Sequence, residues 1–293
     1  MKLIAISILA TVFFYSCTKN KVSLLPEPIP LSPAAIIASS NMNVSYGTDG
    51  AQKMDVYLPA ARTATSTKTI IMIHGGGWSG GDKTDMMPYV DTLKRRFPAY
   101  AIININYRLV TVTNNFFPTQ ENDVKSAIDF IYNKRNEYLI SDKFVLMGAS
   151  AGAHLALLHA YKNNTPVRIK AVVDFFGPTD MTAMYNNPAS VFAPPSSIAM
   201  VFNGATPTTN PTAYAQSSGL TFVTPLSPPT IILHGGVDPL VKLSQAISLR
   251  DKLALNGVVN QYVYYQNEGH GWVGANLADS FEKIQAFLNL YVQ

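Results

Sequence analysis

Short apolar runs alternate along this chain with stretches in which apolar residues recur at helical spacing. The run from Thr69 to Ile73 is typical of a strand that is buried on both faces of a sheet. Beyond Thr119 the period changes to that of a helix, with apolar residues at Val124, Ala127, Ile128 and Ile131. Further strands are predicted at 54–58, 100–105, 144–147, 171–176, 230–233 and 261–265, and further helices at 153–161, 243–255 and 279–291. The alternation predicts an α/β fold with a mainly parallel central sheet that is flanked by helices.

Residues 178–228 interrupt this alternation. They contain eight prolines and offer only short stretches that suit a helix. An irregular segment of this length inside a compact domain is usually functional. We therefore expect the 178–228 insertion to lie near a functional site, as a lid or as a binding wall.

The composition is that of a folded protein with a large core. Of the 293 residues, 47% are hydrophobic and 14% are charged, which excludes an intrinsically disordered chain. The formal net charge is +4, but no cluster of five or more Lys and Arg residues accompanies it, so nucleic acid is not an expected partner. The single cysteine excludes an internal disulfide.

The N-terminus has the pattern of an export signal. Lys2 precedes a short apolar run at 3–15, and Ser16 precedes the only cysteine, Cys17. The run is shorter than the roughly 20 residues that a membrane-spanning helix needs. The position of Cys17 resembles a bacterial lipoprotein signal, in which this cysteine becomes the lipidated first residue. A plain secretory signal is the alternative.

Three segments are expected along the chain. Residues 1–16 are the signal, 17–40 are a proline-rich tether, and 41–293 are one α/β domain. The protein is then exported and held at a membrane only through its N-terminal lipid, in the periplasm or at the cell surface. With a plain secretory signal it is released.

A glycine-flanked serine lies between a predicted strand and a predicted helix. In the sequence Gly148-Ala149-Ser150-Ala151-Gly152, small residues surround Ser150 at the place where a nucleophile elbow requires them. The turn lifts the hydroxyl clear of the sheet and places it at a helix N-terminus, which favours a developing anion. A structural glycine-rich turn is the alternative.

A serine nucleophile needs a base, and the base needs an acid to orient it. His270 is flanked by glycines after the last predicted strand, and Asp238 follows the strand before it. Glu268 and Asp174 are the alternative acids, but Glu268 is close to His270 in sequence and Asp174 is expected at a strand end. The chain order Ser150, Asp238, His270 is that of the α/β-hydrolase fold.

Three consecutive glycines follow the strand that ends at Ile73, in His74-Gly75-Gly76-Gly77-Trp78. Backbone N–H groups can approach a ligand closely where no Cβ stands in the way. Acyl transfer needs such donors for the oxyanion that it forms. A phosphate-binding turn would require the lysine of the Walker spacing, which is absent. His74 is expected to brace this loop.

The motifs together resemble those of a known family. The chain from about residue 44 to 293 resembles the α/β hydrolases of the carboxylesterase and hormone-sensitive-lipase-like group, and small bacterial feruloyl and acetyl-xylan esterases in particular. The resemblance rests on MDVYLP (54–59), HGGGW (74–78), NYRL (106–109), GASAGAH (148–154), FGPTD (176–180), SPPTIILHG (227–235) and GHGW (269–272). It implies an oxyanion hole made by the amides of Gly76, Gly77 and Ala151, and the triad given above. It also implies that the insertion shapes the acyl or the alcohol pocket.

The resemblance implies a serine carboxylesterase that acts through an acyl-enzyme. The expected substrates are short-chain or carbohydrate-linked esters, with acetyl- and feruloyl-polysaccharides among them. No metal and no organic cofactor is required. Two alternatives stay open, namely an amidase, arylformamidase or peptidase with the same residues, and a non-catalytic binding protein on the same fold.

Overall fold

The computed structural model describes residues 36–163 and 166–293. The predicted signal, Cys17 and most of the predicted tether therefore lie outside the described residues. Eight strands are found in the described part: β1 (Ser39–Ser45), β2 (Lys53–Leu58), β3 (Thr69–Ile73), β4 (Ala101–Ile105), β5 (Phe144–Ala149), β6 (Ala171–Phe175), β7 (Thr230–Gly235) and β8 (Asn260–Tyr265).

The eight strands form one sheet in the order β1-β2-β4-β3-β5-β6-β7-β8. β2 is antiparallel to β1 and to β4, and all other pairs are parallel. The predicted mainly parallel sheet is thus confirmed. Because β3 to β8 run in one direction, the loops that follow β3, β5, β7 and β8 all leave from the same edge. These are the loops that carry the predicted site residues.

Helices cover both faces of the sheet. They are α1 (Met87–Arg96), α2 (Thr119–Tyr138), α3 (Ala151–Lys162), α4 (Met181–Asn186), α5 (Pro195–Val201), α6 (Pro211–Gln216), α7 (Leu243–Leu255) and α8 (Gly274–Tyr291). One core contains buried side chains of α2, α3 and α7, and the other contains those of α1 and α8. Two covered faces explain why the central strands are apolar at successive positions. No helix among the described residues is long and apolar enough to span a membrane.

Outside the insertion, one α-helix and one strand were not predicted. α1 lies in a segment for which no helix was expected. β1 is an edge strand of mostly polar, mostly exposed residues, which gives no apolar run and no clear alternation. It begins at Ser39, inside the stretch 17–40 that was assigned to the tether.

The insertion at 178–228 contains α4, α5, α6 and a 3₁₀ turn at Gly219–Phe222. Its prolines do not simply break structure, since Pro195 and Pro211 open α5 and α6. Proline suits the first turn of a helix because its missing N–H would have no partner there. Tyr214 and Met181 are fully buried, so the insertion packs onto the core.

Candidate active site

Ser150 occupies the sharp turn between β5 and α3. Its backbone has φ 54° and ψ −120°, a conformation that L-residues rarely adopt. The turn is held by the Ser150 amide, which donates to the Phe175 carbonyl at 2.9 Å. A Cβ on Gly148 would lie 2.3 Å from the backbone of Gly152, and one on Gly152 would lie 2.1 Å from the Ile73 carbonyl oxygen. Both glycines are therefore required by close backbone contacts, as a nucleophile elbow demands.

Asp238 and His270 meet at the same edge of the sheet. His270 Nδ1 donates to Asp238 Oδ2 at 2.8 Å. Oδ1 of the same carboxylate accepts the amides of Leu240 and Val241 at 2.8 and 2.9 Å. The Asp238 side chain is fully buried, and that of His270 is 15% exposed. With Nδ1 engaged as a donor, the neutral imidazole leaves Nε2 free to accept a proton.

The two alternative acids do not contact His270. Glu268 Oε1 accepts from Asn276 Nδ2 at 2.5 Å. Asp174 is buried in β6, where its Oδ1 accepts the Gly177 amide at 2.8 Å. Burial raises the pKa of the Asp174 carboxyl to about 7. Of the three carboxylates considered from the sequence, only Asp238 is placed to orient the histidine.

Ser150 and His270 line one cavity of about 430 Å³ together with the glycines of the β3 loop. Within the described residues, no hydrogen bond joins the Ser150 hydroxyl to His270. Such bonds are often long without substrate and shorten in the reacting complex. The structure thus brings the predicted nucleophile and the Asp238–His270 pair to the same opening.

The β3 loop presents backbone donors beside Ser150. Gly76 and Gly77 have φ of +108° and +58°, which glycine adopts without strain. In the described part of the chain, neither amide donates an intramolecular hydrogen bond. Gly75 lies against the elbow, since a Cβ there would be 3.3 Å from Ser150 Cβ. Ala151 is the first residue of α3, so its amide lies at a helix N-terminus.

Side chains of the NYRL segment hold the β3 loop in place. The Tyr107 hydroxyl donates to the His74 carbonyl at 3.1 Å, and the two rings stack with centroids 4.3 Å apart. Asn106 accepts the Lys83 amide at 2.6 Å and donates to Asp82 at 2.6 Å. His74 itself is buried and donates from Nδ1 to the Gly75 carbonyl at 2.7 Å, which agrees with the expected bracing role. The motif marked Asn106 and Tyr107 in the sequence, but their role as braces needed the fold.

Trp78 is hydrogen-bonded to His154 of α3, the helix that follows Ser150. Trp78 Nε1 donates to His154 Nδ1 at 3.0 Å, and His154 Nε2 donates to the Ser217 carbonyl at 2.6 Å. Burial lowers the pKa of His154 to about 4, so the ring stays neutral and keeps this tautomer. No group of three His, Cys, Asp or Glu residues within the described ranges could hold a metal ion.

Phe176 is a site residue whose role the sequence did not reveal. Its ring lies 4.7 Å from the His270 ring and 5.4 Å from that of Trp272. Its φ is 45°, an unfavourable value for a bulky residue. The conformation is held by the Phe176 amide, which donates to the Leu233 carbonyl at 2.8 Å. Trp272 is buried and donates to Ser280, so it supports the histidine loop by packing.

A second cavity also borders Ser150. Its volume is about 200 Å³, and Gly77, Ser150 and Leu240 belong to both cavities. Its other walls come from Trp78, from the loop after Asp238, and from the insertion, which supplies Pro178, Met184, Phe192, Ala193, Ser197, Ile198 and Met200. The expectation that the insertion forms a wall near the site agrees with this position.

Known proteins resemble this chain over most of its length. The profile of the BD-FAE family matches residues 54–253. "Esterase LipC" and "Probable carboxylic ester hydrolase LipM" of Mycobacterium tuberculosis are 25% and 29% identical over 84% and 72% of this chain. The chain spans only 64% and 51% of the length of these two curated relatives.

A solved structure confirms the fold. The truncated form of a carbohydrate esterase from gut microbiota superposes with a TM-score of 0.74 at 24% identity, over 88% of this chain and 97% of that one. The central sheet, its flanking helices and this likeness together confirm the α/β-hydrolase fold that was predicted from the sequence.

Proposed function

Because the chain belongs to the BD-FAE family, we propose that it is a serine hydrolase of carboxylic esters that works through an acyl-enzyme intermediate. The observation that carries the proposal is the 2.8 Å bond from His270 Nδ1 to Asp238, with Ser150 on the same cavity. The unoccupied amides of Gly76 and Gly77 beside the serine add support, since acyl transfer needs donors at that point.

The proposed reaction has two halves. In the first, His270 Nε2 takes the proton of Ser150 as its oxygen attacks the ester carbonyl, and Asp238 stabilises the imidazolium. The amides of Gly76, Gly77 and Ala151 hold the negative oxygen of the tetrahedral intermediate, which collapses as His270 returns the proton to the leaving alcohol. In the second half, water repeats these steps on the acyl-enzyme and releases the acid.

The two cavities suggest how the ester lies. The leaving oxygen must receive its proton from His270, so we place the alcohol in the 430 Å³ cavity that His270 lines. The acyl group then occupies the 200 Å³ cavity, whose walls are mostly apolar. An open alcohol side leaves room for a large alcohol such as a sugar unit, which is the basis for proposing carbohydrate-linked esters as substrates.

The test is hydrolysis of nitrophenyl esters from acetyl to decanoyl by the purified protein and by Ser150→Ala. We expect turnover of the short esters and a loss of at least about 10⁴-fold in kcat in the variant. Acetylated and feruloylated xylan are then assayed for released acid. Turnover of anilides or formamides with none of any ester would favour the amidase alternative. No Ser150-dependent turnover on either class would favour a binding protein.

We also propose that the protein is exported and anchored through a lipid on Cys17. The support is the sequence pattern alone, in which Cys17 follows a short apolar run after Lys2. In a bacterial host, radiolabelled palmitate should enter the wild-type protein and not Cys17→Ser. Export of an unlabelled wild-type protein into the medium would favour the plain secretory signal.

A further inference from the structure

Phe192 differs from the other large side chains around the 200 Å³ cavity. Trp78, Met184 and Ile198 are almost completely buried, whereas Phe192 lines the same cavity and is still 76% exposed. It therefore lies at the mouth, where the cavity meets solvent. Large apolar side chains that stay exposed beside a ligand cavity offer surface that a ligand can cover.

The loop that carries Phe192 is fixed to the loop that carries Asp238. The Ser190 hydroxyl donates to the Pro239 carbonyl at 2.5 Å and accepts the Phe192 amide at 3.1 Å. Lys242 Nζ also donates to Asn187 Oδ1. One hydroxyl thus joins the backbone of Phe192 to a residue next to the triad aspartate. The backbone that carries the ring is therefore held at a defined place relative to the Asp238 loop.

We propose that Phe192 is a specificity-determining residue that extends the acyl side of the site beyond its cavity. The inference rests on the proposed function. A volume of about 200 Å³ is below the roughly 300–1,000 Å³ of typical small-molecule sites, so it suits a short acyl group. An octanoyl chain is longer than such a cavity is wide, and its distal methylenes must leave through the mouth. There the phenyl ring covers them and removes them from water.

The experiment measures kcat/KM on nitrophenyl acetate and nitrophenyl octanoate for the purified protein and three variants. Phe192→Ala removes the ring, and Phe192→Leu keeps an apolar side chain at the mouth. Val191→Ala is the matched control, because Val191 is the adjacent residue, is 85% exposed, and does not line the cavity. Ser150→Ala with nitrophenyl acetate tests the proposed function separately.

We expect the octanoate-to-acetate ratio of kcat/KM to fall about tenfold in Phe192→Ala, equivalent to ~1.4 kcal/mol, as roughly two methylenes lose their apolar cover. Phe192→Leu should recover most of the ratio, and Val191→Ala should keep the wild-type ratio. The thermal midpoint of each variant shows whether the fold is intact.

Three results would overturn the inference. An unchanged ratio in Phe192→Ala would show that the ring does not contact the chain. A higher ratio would show that Phe192 is an end wall that blocks long acyl groups. An equal fall in Val191→Ala would show a general effect of the loop. In each case Ser150-dependent hydrolysis of the acetate would leave the proposed function standing, whereas its absence would overturn both.

Discussion

Asp238→Asn tests the proposed triad with an almost isosteric change whose geometry the structure dictates. Oδ1 faces two backbone donors, the amides of Leu240 and Val241. The asparagine must keep its carbonyl oxygen there, because an NH₂ group would oppose two N–H groups. Its NH₂ group then faces His270 Nδ1 at the present 2.8 Å contact. The ring can keep that contact only as an acceptor at Nδ1, which moves its proton to Nε2.

A protonated Nε2 cannot take the proton of Ser150. Changing the aspartate of a Ser-His-Asp triad to asparagine in this way lowers kcat by about 10⁴-fold. That corresponds to about 5 kcal/mol of barrier. The fold should change little, since the buried oxygen keeps both backbone donors.

The assay is kcat on nitrophenyl acetate between pH 6 and pH 9, with a thermal melt of each protein. Glu268→Gln is the control, because Glu268 is bonded to Asn276 and does not touch His270. We expect the control to stay within about twofold of wild type. The reasoning is refuted if Asp238→Asn is folded and retains more than a tenth of the wild-type kcat, or if Glu268→Gln loses as much.

Three further changes test packing and charge. Gly152→Ala should lower the free energy of unfolding by about 1–3 kcal/mol in urea titrations, because the added Cβ would lie 2.1 Å from the Ile73 carbonyl oxygen. A urea midpoint equal to that of wild type would contradict this. Lys83→Met should lower the free energy of unfolding by about 3–5 kcal/mol, since the buried Asp55 carboxylate then loses the ammonium group that lies 3.0 Å away. Adding Asp55→Leu should recover part of that loss. A single variant as stable as wild type would refute this. Because the pKa of Asp174 is raised, the folded state keeps a proton between about pH 4 and pH 7 that the unfolded state has lost. The contribution of this group to the free energy of unfolding therefore falls as pH rises through that window. Asp174→Asn should flatten the dependence of the free energy of unfolding on pH, measured by urea titration, and a slope identical to that of wild type would contradict this.

The sequence predicted the central strands well, because strands buried on both faces must be apolar throughout. β1 was missed since an exposed edge strand can be polar. The prolines at 195 and 211 suggested irregular structure, yet they open helices, and only the fold shows which prolines do so.

For the site, the motifs identified the loops, and the parallel order of the strands explains why those loops meet. The sequence could not show that Phe176 takes a positive φ under His270. Nor could it show that Asp238, and not Glu268 or Asp174, is bonded to His270. The positive φ depends on the backbone bond from the Phe176 amide to the Leu233 carbonyl in β7, and the choice of Asp238 depends on a side-chain bond between two loops 32 residues apart.

The Trp78–His154–Ser217 chain of hydrogen bonds has a consequence for engineering. The neutral imidazole of His154 on α3 is hydrogen-bonded to Trp78 in the glycine loop and to Ser217 in the insertion. A shift of either segment therefore affects the other. A graft that replaces 187–203 exchanges most of the insertion's part of the cavity wall and leaves these hydrogen bonds in place. A graft that extends through Ser217 and changes the backbone path there displaces the carbonyl that holds His154 in its tautomer. Trp78 would then lose its acceptor, and the transplanted specificity would come with a displaced glycine loop.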